Sequence, residues 1–157
     1  MIRFFDGRVM TLANGIETQD IEVWTEGSRI VFVGKPTAEE LDGKVFEREY
    51  DLKGNLLMPS FKNAHTHSAM TFLRSYADDM PLQDWLFKQI FPMEAKLDGE
   101  KVYWLTKLAI LEYLTTGCTA AFDMYFELDD YVKACTESGF RSVLCGAVSG
   151  DLSLIHI

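Results

Sequence analysis

The sequence has few of the residues that would mark a disulfide-bonded, nucleic-acid-binding or membrane protein. Its three cysteines are odd in number and include no C-x-x-C pair, which argues against a disulfide framework and a zinc ribbon. Lysine and arginine number 15 against 24 acidic residues, for a net charge of -9. This balance argues against a nucleic-acid polymer or an anionic membrane surface as partner, because both need clustered positive charge.

Long apolar runs are also absent. No stretch approaches the roughly 18 apolar residues of a membrane span, and Asp6 cuts the N-terminal apolar stretch before it reaches signal-peptide length. We therefore expect a reduced, cytoplasmic protein. The 157 residues are 48% hydrophobic and 25% charged, which is enough apolar material for one ordinary folded domain. The negative charge leaves open a small neutral ligand such as a nucleoside.

Residues 1–55 predict a small β-sandwich or partial barrel, because short apolar runs alternate with turn residues. Asp6-Gly7 lies between two such runs and predicts a β-hairpin. A second hairpin is predicted around residues 26–28. The further elements expected in this part are a helical turn over 37–41 and a strand over 45–50. No residue here clusters in a way that suggests chemistry, so this domain is expected to be structural.

Residues 56–151 predict a second domain in which strands alternate with helices. The expected elements are a strand over 56–61, helices over 81–97 (interrupted at Pro92) and 99–116, a strand over 118–124, a helix over 128–138 and a strand over 140–148. Apolar strands separated by helices are typical of a parallel sheet with right-handed crossovers. This α/β order fits the opening units of a TIM-like (β/α)8 barrel. A doubly wound sheet fits nearly as well, although the glycine-rich phosphate loop is missing.

A pair of histidines follows the first strand of this second domain. His65 and His67 are two residues apart, so in extended backbone both side chains point to the same face. Active-site residues of barrels lie at the C-terminal ends of strands, and this pair is at such an end. The sequence therefore predicts half of a metal site, with two unrelated loop histidines as the alternative.

A catalytic zinc site usually has three protein ligands and a water. Asp123, at the end of the second strand, is the candidate for a third ligand by position alone. The alternative is a carboxylate that caps a helix or orders a loop. The small cytidine-deaminase type of zinc site is excluded, because His67 stands where its H-x-E motif needs glutamate and the P-C-x-x-C motif is absent.

Residues 152–157 resemble a translated sequencing-library adapter and are expected to be a scar rather than native sequence. A genuine strand or turn is the alternative. On the first interpretation the gene fragment ends near residue 150 or 151, and His156 should not be counted as a metal ligand.

Several stretches together resemble the amidohydrolase superfamily, and within it the 5-methylthioadenosine/S-adenosylhomocysteine deaminase group. They are residues 58–61, 63–67, 74–79, 92–97, 116–119 and 123–125. Ser60 stands where the family usually has glycine. The resemblance covers nearly all of residues 1–150, about the first third of a family member. The H-x-H motif identifies only the superfamily, whereas residues 74–97 carry the assignment to the subgroup.

The resemblance implies a zinc-dependent hydrolytic deaminase of adenosine-like nucleosides. His65 and His67 would be the first two metal ligands, and Glu94 would accept hydrogen bonds from ribose hydroxyls. Without the resemblance, Glu94 would be interpreted as a solvated charge on a helix. The family's other ligands and its proton-shuttling glutamate lie on later strands, so the resemblance places no catalytic residue in this sequence, and the fragment is expected to be inactive.

Two other functions and the oligomeric state remain open. The family often has an arginine near Cys145-Gly146, and this sequence has neither arginine nor lysine there. The substrate could therefore be another ring, such as guanine, cytosine, a triazine or an imidazolone. A third hypothesis is a metal-free scaffold homologue. A homo-oligomer is also open.

Overall fold

The computed structural model describes residues 1–13 and 15–146. The chain forms two compact units, one over Met1–Pro59 and one that starts at Ser60. The sequence placed the start of the second domain at residue 56, four residues earlier. Residues 56 and 57 form a strand that pairs within the first unit. The proposed adapter scar lies outside the described residues.

The first unit contains two β-sheets. Its elements are β1 (Ile2–Phe5), β2 (Arg8–Thr11), β3 (Glu17–Gln19), β4 (Glu22–Glu26), β5 (Arg29–Gly34), α1 (Ala38–Leu41), β6 (Arg48–Asp51) and β7 (Leu56–Leu57). One sheet has the order β5-β4-β1-β6 and the other the order β3-β2-β7. Thr37 begins α1 with a capping box, in which its side chain and that of Glu40 bind each other's backbone N–H.

One of the two predicted hairpins is confirmed and the other is wrong. β4 and β5 pair antiparallel, with Glu26 opposite Arg29 across the turn. Strands β1 and β2, however, lie in different sheets. Residues 52–55 form backbone hydrogen bonds on both sides of the Asp6-Gly7 turn. The Leu52 N–H donates to Phe5 O at 2.8 Å, and the Arg8 N–H donates to Asn55 O at 3.0 Å. These bonds direct the chain from one sheet to the other.

The second unit is a three-stranded parallel sheet with helices. Its elements are β8 (Phe61–Thr66), a 3-10 helix (Ser68–Leu73), α2 (Leu82–Asp84), a π-helical segment (Trp85–Ile90), α3 (Phe91–Glu94), α4 (Gly99–Thr115), β9 (Cys118–Tyr125), α5 (Leu128–Ser138) and β10 (Arg141–Gly146). The sheet order is β10-β9-β8, and both strand pairs are parallel. The predicted strand and helix order is therefore confirmed, and the arrangement is that of the opening units of a (β/α) barrel.

Local capping residues mark the ends of two of these helices. The Asp98 side chain accepts a hydrogen bond from the Lys101 N–H at the start of α4. Gly139 ends α5 in the left-handed region, with a φ of 63°. The core of the unit is formed by buried side chains from the 3-10 helix, α4, β9 and α5 with Phe140: Ala69, Val102, Ile110, Ala121, Tyr125, Tyr131, Cys135 and Phe140. This packing brings the C-terminal ends of β8 and β9 together.

Helices long and apolar enough to cross a membrane are not found in the part of the chain that the structure describes.

Candidate active site

The two histidines predicted as ligands lie together at the C-terminal end of β8. Their ring centroids are 5.0 Å apart and the ring planes are 81° from parallel. His65 is exposed, and His67 is partly buried. Both rings are therefore near one another and accessible to a ligand from solvent.

The His67 ring is held by the neighbouring strand. Its Nδ1 lies 2.8 Å from the backbone oxygen of Met124 in β9. A carbonyl oxygen can only accept a hydrogen bond, so Nδ1–H must be the donor. This contact defines the tautomer and leaves the lone pair of Nε2 available. Metal-binding histidines commonly donate their second ring N–H to a carbonyl in this way.

Asp123 is not turned to the histidines as a third ligand. Its fully buried carboxylate accepts hydrogen bonds from the Ser68 backbone N–H, at 3.3 and 3.1 Å, and from the Tyr131 hydroxyl. Within residues 1–13 and 15–146, no group of three or more histidines, cysteines or carboxylates is placed to hold a metal ion. The contacts of Asp123 agree with the alternative interpretation, a carboxylate that orders a loop.

The two histidines nevertheless fit a zinc ion. Neutral imidazole nitrogen is a preferred zinc ligand, with a bond of about 2 Å, and the tautomer of His67 presents such a nitrogen. The close, nearly perpendicular rings allow two nitrogens to bind the same ion. Further ligands would have to come from outside the described residues.

Glu94 is the last residue of α3 and is partly buried rather than fully solvated. The Tyr125 hydroxyl, at the end of β9, donates to its Oε1 at 2.9 Å. Burial raises the pKa of the Glu94 carboxyl above its usual range, and the hydrogen bond from Tyr125 offsets part of that rise. Tyr125, which binds Glu94, is next in the chain to Met124, which binds the His67 ring, so the predicted substrate-binding carboxylate lies at the same end of β9 as the predicted metal ligand.

Sequence reasoning missed the polar side chains that support these residues. Tyr113 of α4 shares hydrogen bonds with Thr66 Oγ1 at 2.6 Å and with Ser68 Oγ at 2.8 Å. The Tyr131 hydroxyl oxygen also lies 3.3 Å from Ser68 Oγ. The pattern of an amphipathic helix predicts that its tyrosines are core residues. No local pattern distinguishes a tyrosine that supports a site from one that only fills the core. A cavity of about 350 Å³ lies beside this network, with Thr66, His67, Ser68 and Tyr113 in its wall.

Comparison with known proteins adds a family and a set of relatives. A model of the amidohydrolase family matches residues 56–153. A 5-methylthioadenosine/S-adenosylhomocysteine deaminase of Desulfitobacterium hafniense is 42% identical over 130 residues, which are 83% of this chain and 30% of that protein. A 5'-deoxyadenosine deaminase of Methanospirillum hungatei is 56% identical over 94 residues, which are 60% of this chain and 21% of that protein.

A solved structure supports the same fold. The crystal structure of an adenosine deaminase from Xanthomonas campestris with bound zinc matches with a TM-score of 0.84 and 34% identity. The match covers 90% of this chain and 33% of that one. The chain thus spans about a third of that structure and 30% of the length of the Desulfitobacterium relative.

Proposed function

Because the chain belongs to the amidohydrolase family, we propose that it forms part of a zinc-dependent hydrolytic deaminase. The proposed substrates are adenosine-like nucleosides such as 5-methylthioadenosine and S-adenosylhomocysteine, and the products include ammonia. Relatives carry deaminase names for substrates of this class. The chain covers only part of those relatives, so the activity is proposed for the whole protein.

The observation that carries this proposal is the hydrogen bond from His67 Nδ1 to the Met124 carbonyl, at 2.8 Å. This hydrogen bond fixes His67 in the tautomer that carries its proton on Nδ1. The Nε2 lone pair of His67 is then available to a metal ion. An exposed histidine without this bond would sample both tautomers and several orientations. In the proposal, His65 and His67 hold zinc, which when bound lowers the pKa of its water to about 7.

Glu94 is proposed to bind the ribose of the substrate. A carboxylate accepts hydrogen bonds from two neighbouring hydroxyls, which gives a ribose a defined orientation. Tyr125 occupies one oxygen of Glu94 and leaves the second for the substrate. Tyr125, which binds Glu94, is next in the chain to Met124, which binds the His67 ring, so a substrate bound at Glu94 would lie close to the metal ligands.

The proposed role of these residues is to bind zinc and to orient the substrate. None of them is proposed to move a proton in the reaction. We therefore expect the 157-residue chain by itself to bind zinc weakly and to show no turnover. Deamination of an adenosine-like nucleoside by the purified chain would contradict this expectation.

The test of the function uses the protein encoded by the longest native reading frame that contains residues 1–151. The purified protein is assayed for ammonia release from 5-methylthioadenosine, S-adenosylhomocysteine and 5'-deoxyadenosine, with guanine and a triazine as competing rings. The proposal expects activity on the nucleosides that a chelator removes and zinc restores. Activity on guanine or the triazine alone would refute the substrate class. No zinc binding and no turnover would refute the enzyme and favour a scaffold.

A further inference from the structure

Asp123 is an unusual buried group in the second unit, and the proposed function does not use it. Its side chain is fully buried, and in residues 1–13 and 15–146 it forms no ion pair with lysine or arginine. Burial of an uncompensated carboxylate is costly unless hydrogen bonds satisfy it. Asp123 is satisfied only by neutral donors, the Ser68 N–H and the Tyr131 hydroxyl.

These donors connect Asp123 to the histidine pair. Ser68 follows His67 directly in the chain, and its N–H is the one that Asp123 binds. Met124, next to Asp123, binds the His67 ring. Two consecutive residues of β9 therefore hold the two consecutive residues that follow β8, one through the ring and one through the backbone.

The Tyr131 hydroxyl is a constant hydrogen-bond donor to Asp123. Burial, and then the hydrogen bond to Asp123, raise the pKa of Tyr131 well above its usual range, so the phenol keeps its proton and donates. The Tyr131 phenol oxygen also lies 3.3 Å from Ser68 Oγ and can accept from that hydroxyl while it donates to Asp123. Asp123, Ser68 and Tyr131 thus form a closed set of contacts, which we call the Asp123 cluster.

We propose that Asp123 is a positioning residue for the metal site. By binding the Ser68 N–H, it fixes the backbone where the His67 side chain leaves the strand, and so sets the direction of Nε2. This inference rests on the proposed function, because it assumes that His67 binds metal. It assigns Asp123 no contact with the metal or the substrate.

The test measures metal affinity rather than activity. The proteins compared are the wild type and Asp123→Asn, each encoded by the longest reading frame. Each is purified, stripped of metal and titrated with zinc against a chromogenic chelator. Loss of a residue that orients a ligand typically lowers metal affinity about 10- to 100-fold, and we expect a loss in that range. The visible spectrum of the cobalt-substituted variant should also change, because the geometry at the ion changes.

Ile110→Val is the matched control, since Ile110 is a buried core residue of the same unit and its aliphatic side chain cannot take part in the hydrogen bonds of the Asp123 cluster. It should lower the thermal stability of the metal-free protein while zinc affinity stays unchanged. If Asp123→Asn lowers stability and keeps zinc affinity within about twofold of the wild type, the inference is overturned. If that variant does not fold, Tyr131→Phe decides: weaker zinc binding supports the inference, and unchanged binding overturns it.

Failure of the proposed function has a different signature. If the wild type binds no zinc, or if His67→Ala binds it as well as the wild type, the metal site itself is wrong. If the wild type binds zinc through His67 and Asp123→Asn binds it equally well, only the role of Asp123 is wrong.

Discussion

The two units of the chain satisfy their carboxylates in different ways. In the first unit, Arg3 donates to both oxygens of Glu22, at 2.7 and 2.6 Å, and to Glu49 at 2.9 Å. We call these three residues the Arg3 cluster. In the second unit, neutral donors alone satisfy Asp123. One cluster pairs its carboxylates with a guanidinium within a sheet, and the other satisfies its carboxyl group with neutral donors at the ends of two parallel strands.

This difference separates a structural cluster from one that can serve a site. In the Arg3 cluster, each carboxylate has a guanidinium partner, and its contribution is to hold β1 against β4 and β6. In the Asp123 cluster, a buried carboxyl group bound by neutral donors lies next to the segment that bears His67. Its hydrogen bonds connect β9 to the backbone beside a proposed metal ligand. Variants in each unit should therefore change different properties.

The largest effect is expected for His67→Ala. Loss of one of two histidine ligands removes the metal, and metal catalysis contributes several kcal/mol of transition-state stabilisation. We expect kcat/KM of the full reading frame to fall by at least about 1000-fold, because each 1.36 kcal/mol is a factor of ten. Zinc content measured by atomic absorption should fall with it. A variant with full zinc occupancy would show that His67 is not a ligand.

Arg3→Gln is the counterpart in the first unit. Arg3 and Glu22 are mostly buried, with side chains 19% and 15% exposed, so the loss of Arg3 leaves an unpaired carboxylate in the sheet. We expect local stability of β1 and β4 to fall by about 2–3 kcal/mol. Native-state hydrogen exchange of their backbone amides measures this. Zinc content should not change, and a variant that lost zinc would contradict the separation of the two roles.

Tyr125→Phe is expected to have an intermediate effect, on substrate binding. A hydrogen bond to a charged group contributes about 1.5–3 kcal/mol, and loss of this one leaves Glu94 less well fixed. We expect KM for adenosine to rise about 10-fold with little change in kcat. The effect should vanish for 2',3'-dideoxyadenosine, which has no hydroxyls for Glu94.

Tyr103→Phe provides the control for this variant. Tyr103 also donates to a glutamate, Glu137, but on the surface of the same unit and away from the histidines. Its loss should leave KM unchanged for both substrates. An equal rise in KM for adenosine and its dideoxy analogue in Tyr125→Phe would show that Glu94 does not bind the ribose.

More of the fold could be predicted from the sequence for the second unit than for the first. Its strands are parallel and separated by helices, so the handedness rule for crossovers leaves few ways to arrange them. In the first unit, the strands near Asp6-Gly7 were recognised but their pairing was not. A two-residue turn predicts a hairpin from local sequence, whereas residues 52–55, nearly fifty positions away, decide the path of the chain there.

In the candidate site, too, features with a local sequence pattern could be predicted, whereas contacts between distant elements could not. His65 and His67 could be found because their spacing of two is a local pattern, and Glu94 was found through the resemblance alone. The contacts that orient them, from Met124, Tyr125 and Tyr131, depend on which strand and helix lie next to β8. No spacing in the sequence records those contacts, so they required the structure.

The smallest expected effect is the response of the Arg3 cluster to acid. The hydrogen bonds from Arg3 hold the pKa of the Glu22 carboxyl below its usual range. Because the native pKa is the lower one, the unfolded chain takes up protons first as pH falls, and unfolding becomes easier. The stabilisation from Glu22 is thus complete above its unfolded pKa of about 4.3 and is lost as pH falls through the lower native value.

Hydrogen exchange of β1 and β4 between neutral pH and pH 3 measures this loss, after correction for the intrinsic exchange rates. Glu22→Gln should abolish most of the pH dependence, because glutamine does not titrate. Glu49→Gln is the matched control, since Glu49 is 48% exposed against 15% for Glu22 and solvent screens its bond to Arg3. If Glu49→Gln flattened the profile as much as Glu22→Gln, the acid response would belong to the whole cluster and not to the buried pair, and the contrast with the uncompensated Asp123 would weaken accordingly.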